Sequence, residues 1–330
     1  MRIIITGGCG FIGFALAKRL LEKANGNDEI ILLDNLKRHG LLPEIAHFYS
    51  HPNVKFINID LSNPHTLKDV PSPVDRVYHL AAIVGVGPIM KNSSDVLRIN
   101  TLSTLNIFEW FVNNSNKDAR LIFSSSSEVY SGNVLAGFEM PIPTPENIPV
   151  VISDLDNHRF SYAISKIWGE SYAKSISREK HIHLASVRYH NVYGPSMGFD
   201  HVIPNIVSRV VRKENPFKMI SSEQTRSFCW IEDAVKATHL IMESDKLEPG
   251  MTVHVGDQNG ETKIGKLYEL IFDLCEWRPG KIKEIDPPKG SVSRRCPDTS
   301  LMERLTGFKP ETSLNEGLQK TVEWYMENTK

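Results

Sequence analysis

The sequence predicts an α/β fold: a doubly wound parallel sheet, followed by a smaller mixed α/β C-terminal lobe. Three observations carry that expectation. The first half alternates short apolar runs with helical patterns, as buried parallel strands joined by crossover helices do. A glycine-rich turn follows the first apolar run directly and opens the first helical pattern. At 330 residues, the chain is near the size at which one core divides into two. The expected division puts 1–190 in the first lobe and 191–330 in the second, with later segments returning to the first.

Taken in order, strands are expected over 3–6, 29–33, 55–59, 76–80 and 121–124, and helices over 14–23 and 96–112. The rhythm breaks over 133–157, where Pro141, Pro143, Pro145 and Pro149 crowd together. A long loop is expected there, and loops of that length inside compact domains are usually functional or mobile. A helix over 161–179 and a strand over 184–189 resume the sheet. Beyond Pro195 the pattern is mixed: a helix over 203–212, a short strand near 251–255, helices over 264–277 and 314–327, and loops between.

Composition removes several classes of function. The chain is 41% hydrophobic and 23% charged, which suggests neither disorder nor a coiled coil. A formal net charge of −1 provides no global basic field, so no nucleic-acid partner is expected. Cys9, Cys229, Cys275 and Cys296 are scattered, which points to free thiols in a reducing cytoplasm rather than to disulfides or zinc. The twelve histidines show no ligand spacing, so no metal is expected. No apolar run reaches the roughly 18 residues of a membrane span. With the first strand starting at Arg2, no room is left for a signal peptide.

The glycine-rich turn is Thr6-Gly7-Gly8-Cys9-Gly10-Phe11-Ile12-Gly13. Gly7, Gly10 and Gly13 match the spacing that lets a pyrophosphate approach the backbone at a helix N-terminus. In this strand–turn–helix setting the sheet reads as Rossmann-like. Asp34 ends the second strand about 20 residues on, where an acid bonds the adenosine ribose hydroxyls and repels a 2′-phosphate. NAD is favoured over NADP, although Lys37 and Arg38 stand close enough to blunt the preference. Asp60 follows the third strand and could meet the adenine. Leu80, Ala81 and Ala82 leave the fourth strand, and their small size suits a cofactor passing close. A solvated acid or an ordinary strand exit would read the same way at each of these positions.

Tyr162 and Lys166 are four residues apart and share one helical face. An ammonium beside a phenol favours phenolate and is expected to lower the tyrosine pKa, with the nicotinium charge adding to the effect. Such a phenol can take a hydroxyl proton as hydride leaves the same carbon. Ser126, at the end of the fifth strand, could hydrogen-bond the reacting hydroxyl, and Glu128 stands two residues later.

At these residues the chain resembles the extended short-chain dehydrogenases/reductases of the nucleotide-sugar epimerase/dehydratase family. The resemblance covers nearly the whole chain. It runs through the glycine turn, the Leu80-Ala81-Ala82 exit, Asn100, the Ser124–Tyr130 run and Tyr162-x-x-x-Lys166. It continues through residues 188–195, 224–228 and 295–298. It implies an NAD cofactor held by Gly7, Gly10, Phe11, Ile12 and Gly13, then Asp34, Asn35, Asp60 and Leu61. Leu80, Ala81, Ala82, Asn100, Tyr162, Lys166 and Tyr189 complete that surface, with Tyr189 near the nicotinamide. It implies Ser126, Tyr162 and Lys166 as the catalytic triad, supported by Asn100. A nucleotide-diphosphate sugar is the implied substrate, held by Ser126, Ser127, Arg159, Asn191, His201, Arg226 and Arg295. Guanidinium forks suit the diphosphate oxygens. The family also implies a homodimer, formed through a four-helix bundle that the 96–112 and 161–179 helices match, and the scattered cysteines make the expected compartment cytoplasmic.

The shared first step of that family is oxidation of the sugar C4 hydroxyl to a ketone. A 4-epimerase is the leading expectation and requires the triad alone. A dehydratase also requires a base and an acid, and Glu128 could be one of them. A decarboxylase releases a C5 carboxylate that has become β to the ketone. Glu128 resembles the Thr-Ser-Glu run of UDP-glucuronate decarboxylases and GDP-mannose dehydratases. Arg159 resembles an arginine of bacterial decarboxylases that act on glucuronate. Ser127 stands where dTDP-glucose dehydratases carry aspartate, and 83–86 lacks the dehydratases' usual Ser-His-Val. Glu128 could equally pair with a neighbour and never touch substrate. Relatives that bind NAD(H) as sensors form an alternative of another class, which the intact triad opposes.

Overall fold

The structure is a computed structural model. It describes every residue except 39, 41, 42, 159, 288–291 and 330, together with the side chains of Pro43 and Val86. Chain order begins with β1 (Arg2–Thr6), α1 (Phe11–Lys23), β2 (Glu29–Asp34), α2 (Pro43–Phe48) and β3 (Val54–Asn58). It proceeds through β4 (Val74–His79), α3 (Val86–Lys91), α4 (Ser93–Asn114) and β5 (Ser115–Ser126). Then come α5 (Ser131–Leu135), α6 (Phe160–Lys180) and β6 (His183–Tyr189). After these stand β7 (Val192–Tyr193), α7 (Val202–Val211), β8 (Phe217–Ile220), β9 (Thr225–Ser227) and β10 (Cys229–Trp230). The chain closes with α8 (Ile231–Glu243), β11 (Thr252–Val255), β12 (Glu261–Lys263), α9 (Ile264–Leu274), β13 (Ile282–Ile285), β14 (Arg294–Arg295), α10 (Ser300–Thr306) and α11 (Leu314–Asn328).

Seven strands form one sheet in the order β11-β6-β5-β4-β1-β2-β3, and every pairing in it is parallel. β1 and β2 read Ile-Ile-Ile and Ile-Ile-Leu-Leu because both faces are covered; Ile4, Ile5 and residues 30–33 have no exposed surface. One apolar core lies under α1, α8 and the C-terminal helices, and a second lies on the other face under α4 and α6. Burying each such side chain contributes about 1.5–3 kcal/mol. The strand order reverses between β1 and β4, so the crevice beyond their C-terminal ends is where this architecture takes a ligand.

Several elements differ from expectation. β11 lies at the edge of the large sheet beside β6. α8 was not expected at all; its buried stripe of Ile231, Ala234, Val235, Thr238, Ile241 and Met242 packs on α1. The 133–157 segment is pinned rather than loose. The Asn133 side chain donates to the Pro149 carbonyl (2.6 Å) and accepts from the Val151 N–H (3.0 Å). Thr144 bridges to the segment after β14, its N–H donating to the Cys296 carbonyl and its carbonyl accepting from the Asp298 N–H (2.8 Å each).

Candidate active site

The glycine turn leaves β1 with Gly7 at φ +66°, a left-handed conformation that glycine adopts freely. A Cβ on Gly7 would sit 2.9 Å from the Ala81 nitrogen, and one on Gly13 would collide with the Gly7 carbonyl. These are the close approaches that fold the turn under α1. Gly10 is the N-cap of α1 and has no side chain to satisfy the first-turn N–H groups, which leaves them to an anion.

Asp34, at the end of β2, accepts from the Cys9 N–H (3.1 Å) and the Leu36 N–H (2.8 Å), locking the turn to the second strand. Lys37, one of the two cations expected to blunt a preference for NAD, reaches Asp60 instead (2.8 Å). That ion pair, with Ser62, holds the Asp60 carboxyl down to about 2. Arg38 lies within electrostatic reach of Asp200, Tyr325 and Tyr162. Phe11, Ile12, Asn35 and Leu61 line the same cavity of about 810 Å³.

Under the cavity floor, the Thr6 hydroxyl accepts the N–H groups of Leu80 and Ala81 (3.1 Å each). It also meets His79 Nδ1 (2.8 Å), whose Nε2 meets Thr104 (3.1 Å). Burial, with the nearby Lys166 charge, pushes His79 down to about 3. Asn100 holds the exit from β4, accepting from the Ile83 N–H (2.7 Å) and donating to its carbonyl (3.1 Å).

Ser126 ends β5, where its hydroxyl accepts from the Glu128 N–H (3.2 Å) and lies close enough to the Tyr162 phenol to favour the phenolate. Lys166 lies one turn along α6, 2% exposed, with Nζ 4.8 Å from the Phe123 ring centre and 5.6 Å from that of Tyr162. The structure thus brings the three expected catalytic side chains together. It corrects the expected charge balance, however. Burial outweighs the polar neighbours and pushes the Tyr162 phenol up, with Glu128 adding to the rise and Ser126 and Arg38 opposing it. Burial also pushes Lys166 down to about 7, against the pull of Glu170.

Glu128 is joined by Arg295 from β14. Arg295 Nη1 donates to one carboxylate oxygen (2.5 Å), the Ser131 hydroxyl donates to the other (2.7 Å), and Arg295 Nη2 donates to Ser131 (3.0 Å). Ser127, Asn191, His201 and Arg295 are all in the cavity wall. Burial holds His201 down to about 4. The Asn191 amide donates to the Ser227 carbonyl (3.0 Å). Arg226 stands beside Arg295 across the β9–β14 pair, outside the described cavity wall, and donates to Gln224 (2.9 Å). Tyr189 lines the cavity but turns its hydroxyl to Thr238 on α8 (2.9 Å). Arg159 lies outside the described residues.

Thr6, His79, Glu170 and Arg188 stand behind the cavity wall, Arg188 paired with Glu170, and the sequence reading missed them. Of these, Glu170 had a signal, since it extends the four-residue spacing of Tyr162 and Lys166 by one more turn. Among the described residues no cluster of His, Cys, Asp or Glu could hold a metal ion, and no helix is long and apolar enough to cross a membrane.

The model of the NAD dependent epimerase/dehydratase family matches residues 3–256. The chain is 31% identical over 332 residues to a putative UDP-glucose 4-epimerase of Methanocaldococcus jannaschii, covering 99% of each. It is 29% identical to UDP-glucuronic acid decarboxylase 5 of Arabidopsis thaliana, over 96% of this chain and 87% of that one. A dTDP-glucose 4,6-dehydratase of Streptomyces venezuelae, solved with NAD bound, superposes with a TM-score of 0.86 at 25% identity. That match covers 99% of this chain and 98% of the other.

Proposed function

The chain belongs to the NAD-dependent epimerase/dehydratase family, and from that premise we propose that it is a nucleotide-sugar 4-epimerase. NAD is its cofactor. In this reading the first-turn N–H groups behind residues 7–13 hold the pyrophosphate, and Asp34 holds the adenosine ribose. Both fit the group: Gly10 leaves the first N–H groups of α1 without a side-chain partner, and the Lys37 ammonium is drawn to Asp60. When bound, NAD supplies the two-electron acceptor and donor, and a positive ring charge that favours phenolate at Tyr162.

Tyr162 takes the proton of the C4 hydroxyl, which Ser126 orients. Burial holds that phenol up in the free protein, and in this reading the Lys166 ammonium beside it and the ring charge of bound NAD together offset the rise. The proton returns by the same route after the 4-keto sugar has presented its other face. Arg295 and Asn191 lie along the substrate side of the cavity, where a guanidinium suits diphosphate or carboxylate oxygens. The proposed homodimer forms through α4 and α6, which pack together. They leave Leu97, Leu105 and the stacked Trp168–Tyr172 pair (5.2 Å) half-buried on their outer face.

The observation that carries epimerisation over dehydration is the state of Glu128. Both of its oxygens are engaged, by Arg295 and by Ser131. A carboxylate held in that way is poorly placed to abstract the C5 proton. A 4-epimerase asks nothing of it. Arg295 favours a second reading, decarboxylation: a hexuronate carboxylate could replace Glu128 on the same guanidinium. Incubation with NAD and a panel of UDP-, dTDP- and GDP-sugars, read by mass, tests the proposal. Unchanged mass with a new diastereomer supports it. Loss of carbon dioxide turns it to the second reading, and loss of water contradicts both.

A further inference from the structure

Behind the triad lies a buried charge pair that the reaction as proposed does not use. Glu170 is 6% exposed and sits one turn beyond Lys166 on α6. One of its oxygens accepts from the Ser125 hydroxyl (2.5 Å) and Arg188 Nε (2.8 Å), and the other from Arg188 Nη2 (2.6 Å). Arg188, on β6, is 3% exposed. Its Nη1 donates to the Tyr130 hydroxyl and to the Glu146 carbonyl (3.0 Å). The Tyr130 hydroxyl meets His254 Nε2 (2.8 Å). One carboxylate thereby ties together the three elements that carry Lys166, Ser126 and Tyr189.

A buried ion pair of this kind is a weak device for stability alone, because apolar side chains of the same volume commonly do as well or better. What distinguishes this one is its neighbour. Lys166 is nearly sealed in, over the Phe123 ring, and burial works against its charge. The groups that face the pair come from every surrounding element. Tyr162 shares α6, His79 comes from β4, Arg188 from β6, Tyr130 follows β5, and Glu146 belongs to the 133–157 segment. Glu170 is the carboxylate that acts on the ammonium. Arg188, clasping it in two hydrogen bonds, sets how much of that negative charge remains.

We propose that Glu170 is a positioning residue for the reaction: it keeps Lys166 an ammonium beside Tyr162 and pins the strand that presents Ser126, with Arg188 moderating its charge. The inference rests on the reading of Tyr162 and Lys166 as the proton-transfer pair. The experiment therefore has two readouts on the NAD-loaded protein. The first is the pH titration of Lys166 itself, followed by NMR of its labelled ε-carbon. The second is the pH profile of kcat.

Glu170→Gln alone leaves Arg188 buried without its partner and is liable to unfold. The paired variant Glu170→Gln/Arg188→Met removes both charges and keeps the test available. In the paired variant, the Lys166 titration and the alkaline limb of kcat should move to lower pH by about one unit. Arg188→Lys, which keeps a cation on the Glu170 carboxylate, should leave both near their wild-type pH. A shift in the paired variant that is absent from Arg188→Lys is not what a merely structural role gives. A Lys166 titration unchanged in the paired variant overturns the inference. A Lys166 titration that moves while the kcat profile stays fixed leaves Glu170's hold on Lys166 standing and overturns the proton-transfer reading instead.

Discussion

Acidification from pH 8 to pH 5.5 should destabilise this protein well before its exposed carboxylates titrate. Three buried histidines carry the effect. Burial pushes His79 and His254 down to about 3 each, with Lys166 adding to the first and Arg188 to the second. Burial and the neighbouring His254 push His190 well below its ordinary value. His190 stacks edge-on against His254 at 4.5 Å, and neither of its ring nitrogens has a partner among the described residues. Each is neutral in the folded chain and has an ordinary pKa of about 6.5 in the unfolded one. A group whose folded pKa is depressed in this way stabilises the fold fully above about pH 6.5 and loses that contribution as the pH falls. At pH 5.5 the loss is about 1.4 kcal/mol per histidine, and it barely depends on how far below 5.5 the folded value lies. Three groups give about 4 kcal/mol. With an unfolding entropy of about 2.1 cal/mol/K per residue, a 330-residue chain should lose roughly 6 °C in Tm. Glu146 and Asp257, raised by burial, take up protons on acidification and work against part of this, while His201 and Lys166, both held down by burial, add to it. Thermal unfolding across that pH range is the assay, and His190→Phe should flatten the slope by one group's share. A Tm that is level or rising from pH 8 to 5.5 would refute the reasoning.

Tyr162→Phe should cut kcat by roughly a hundred- to ten-thousand-fold while the nucleotide sugar still binds, as calorimetry would show; near-normal turnover would mean that another group takes the proton. Gly13→Ala drives a Cβ into the Gly7 carbonyl and should destabilise the fold by about 1–3 kcal/mol while weakening NAD in a fluorescence titration; an unchanged NAD affinity would separate the turn from the cofactor. Wild type should bind NAD more tightly than NADP, and Asp34→Ser should narrow the gap, since the carboxylate that would repel a 2′-phosphate is removed. Equal affinities for the two cofactors in wild type would argue against that role.

What could be read from the sequence was local. The glycine cradle lies within one strand–turn–helix unit, so its residues sit beside one another in the chain as they do in space. Tyr162 and Lys166 meet because they are one helical turn apart. What could not be read depended on contacts across long separations. Nothing local announces that Arg295 will reach Glu128, 167 residues away, or that Arg188 will clasp Glu170. The net rise of Tyr162 could not be read for the same reason: the burial that outweighs its polar neighbours is supplied by the whole cavity wall. The prolines of 133–157 suggested looseness, but the order there comes from the Asn133 side chain and the bridge from Thr144 to the segment after β14. Residues 231–243 carry a muted helical signal, because three of the buried positions are the small Ala234, Ala237 and Thr238. The strands of two to four residues from β7 onward are too short to show alternation.

The most direct test of the central claim follows the hydrogen on C4. A nucleotide sugar deuterated at C4 would be incubated with the NAD-loaded protein in ordinary water and the product examined by NMR and mass. The account predicts a 4-epimer that keeps its deuterium at C4, because that hydrogen leaves and returns without entering solvent. Deuterium washed out into water would mean that C4 is deprotonated rather than oxidised, and would contradict the account.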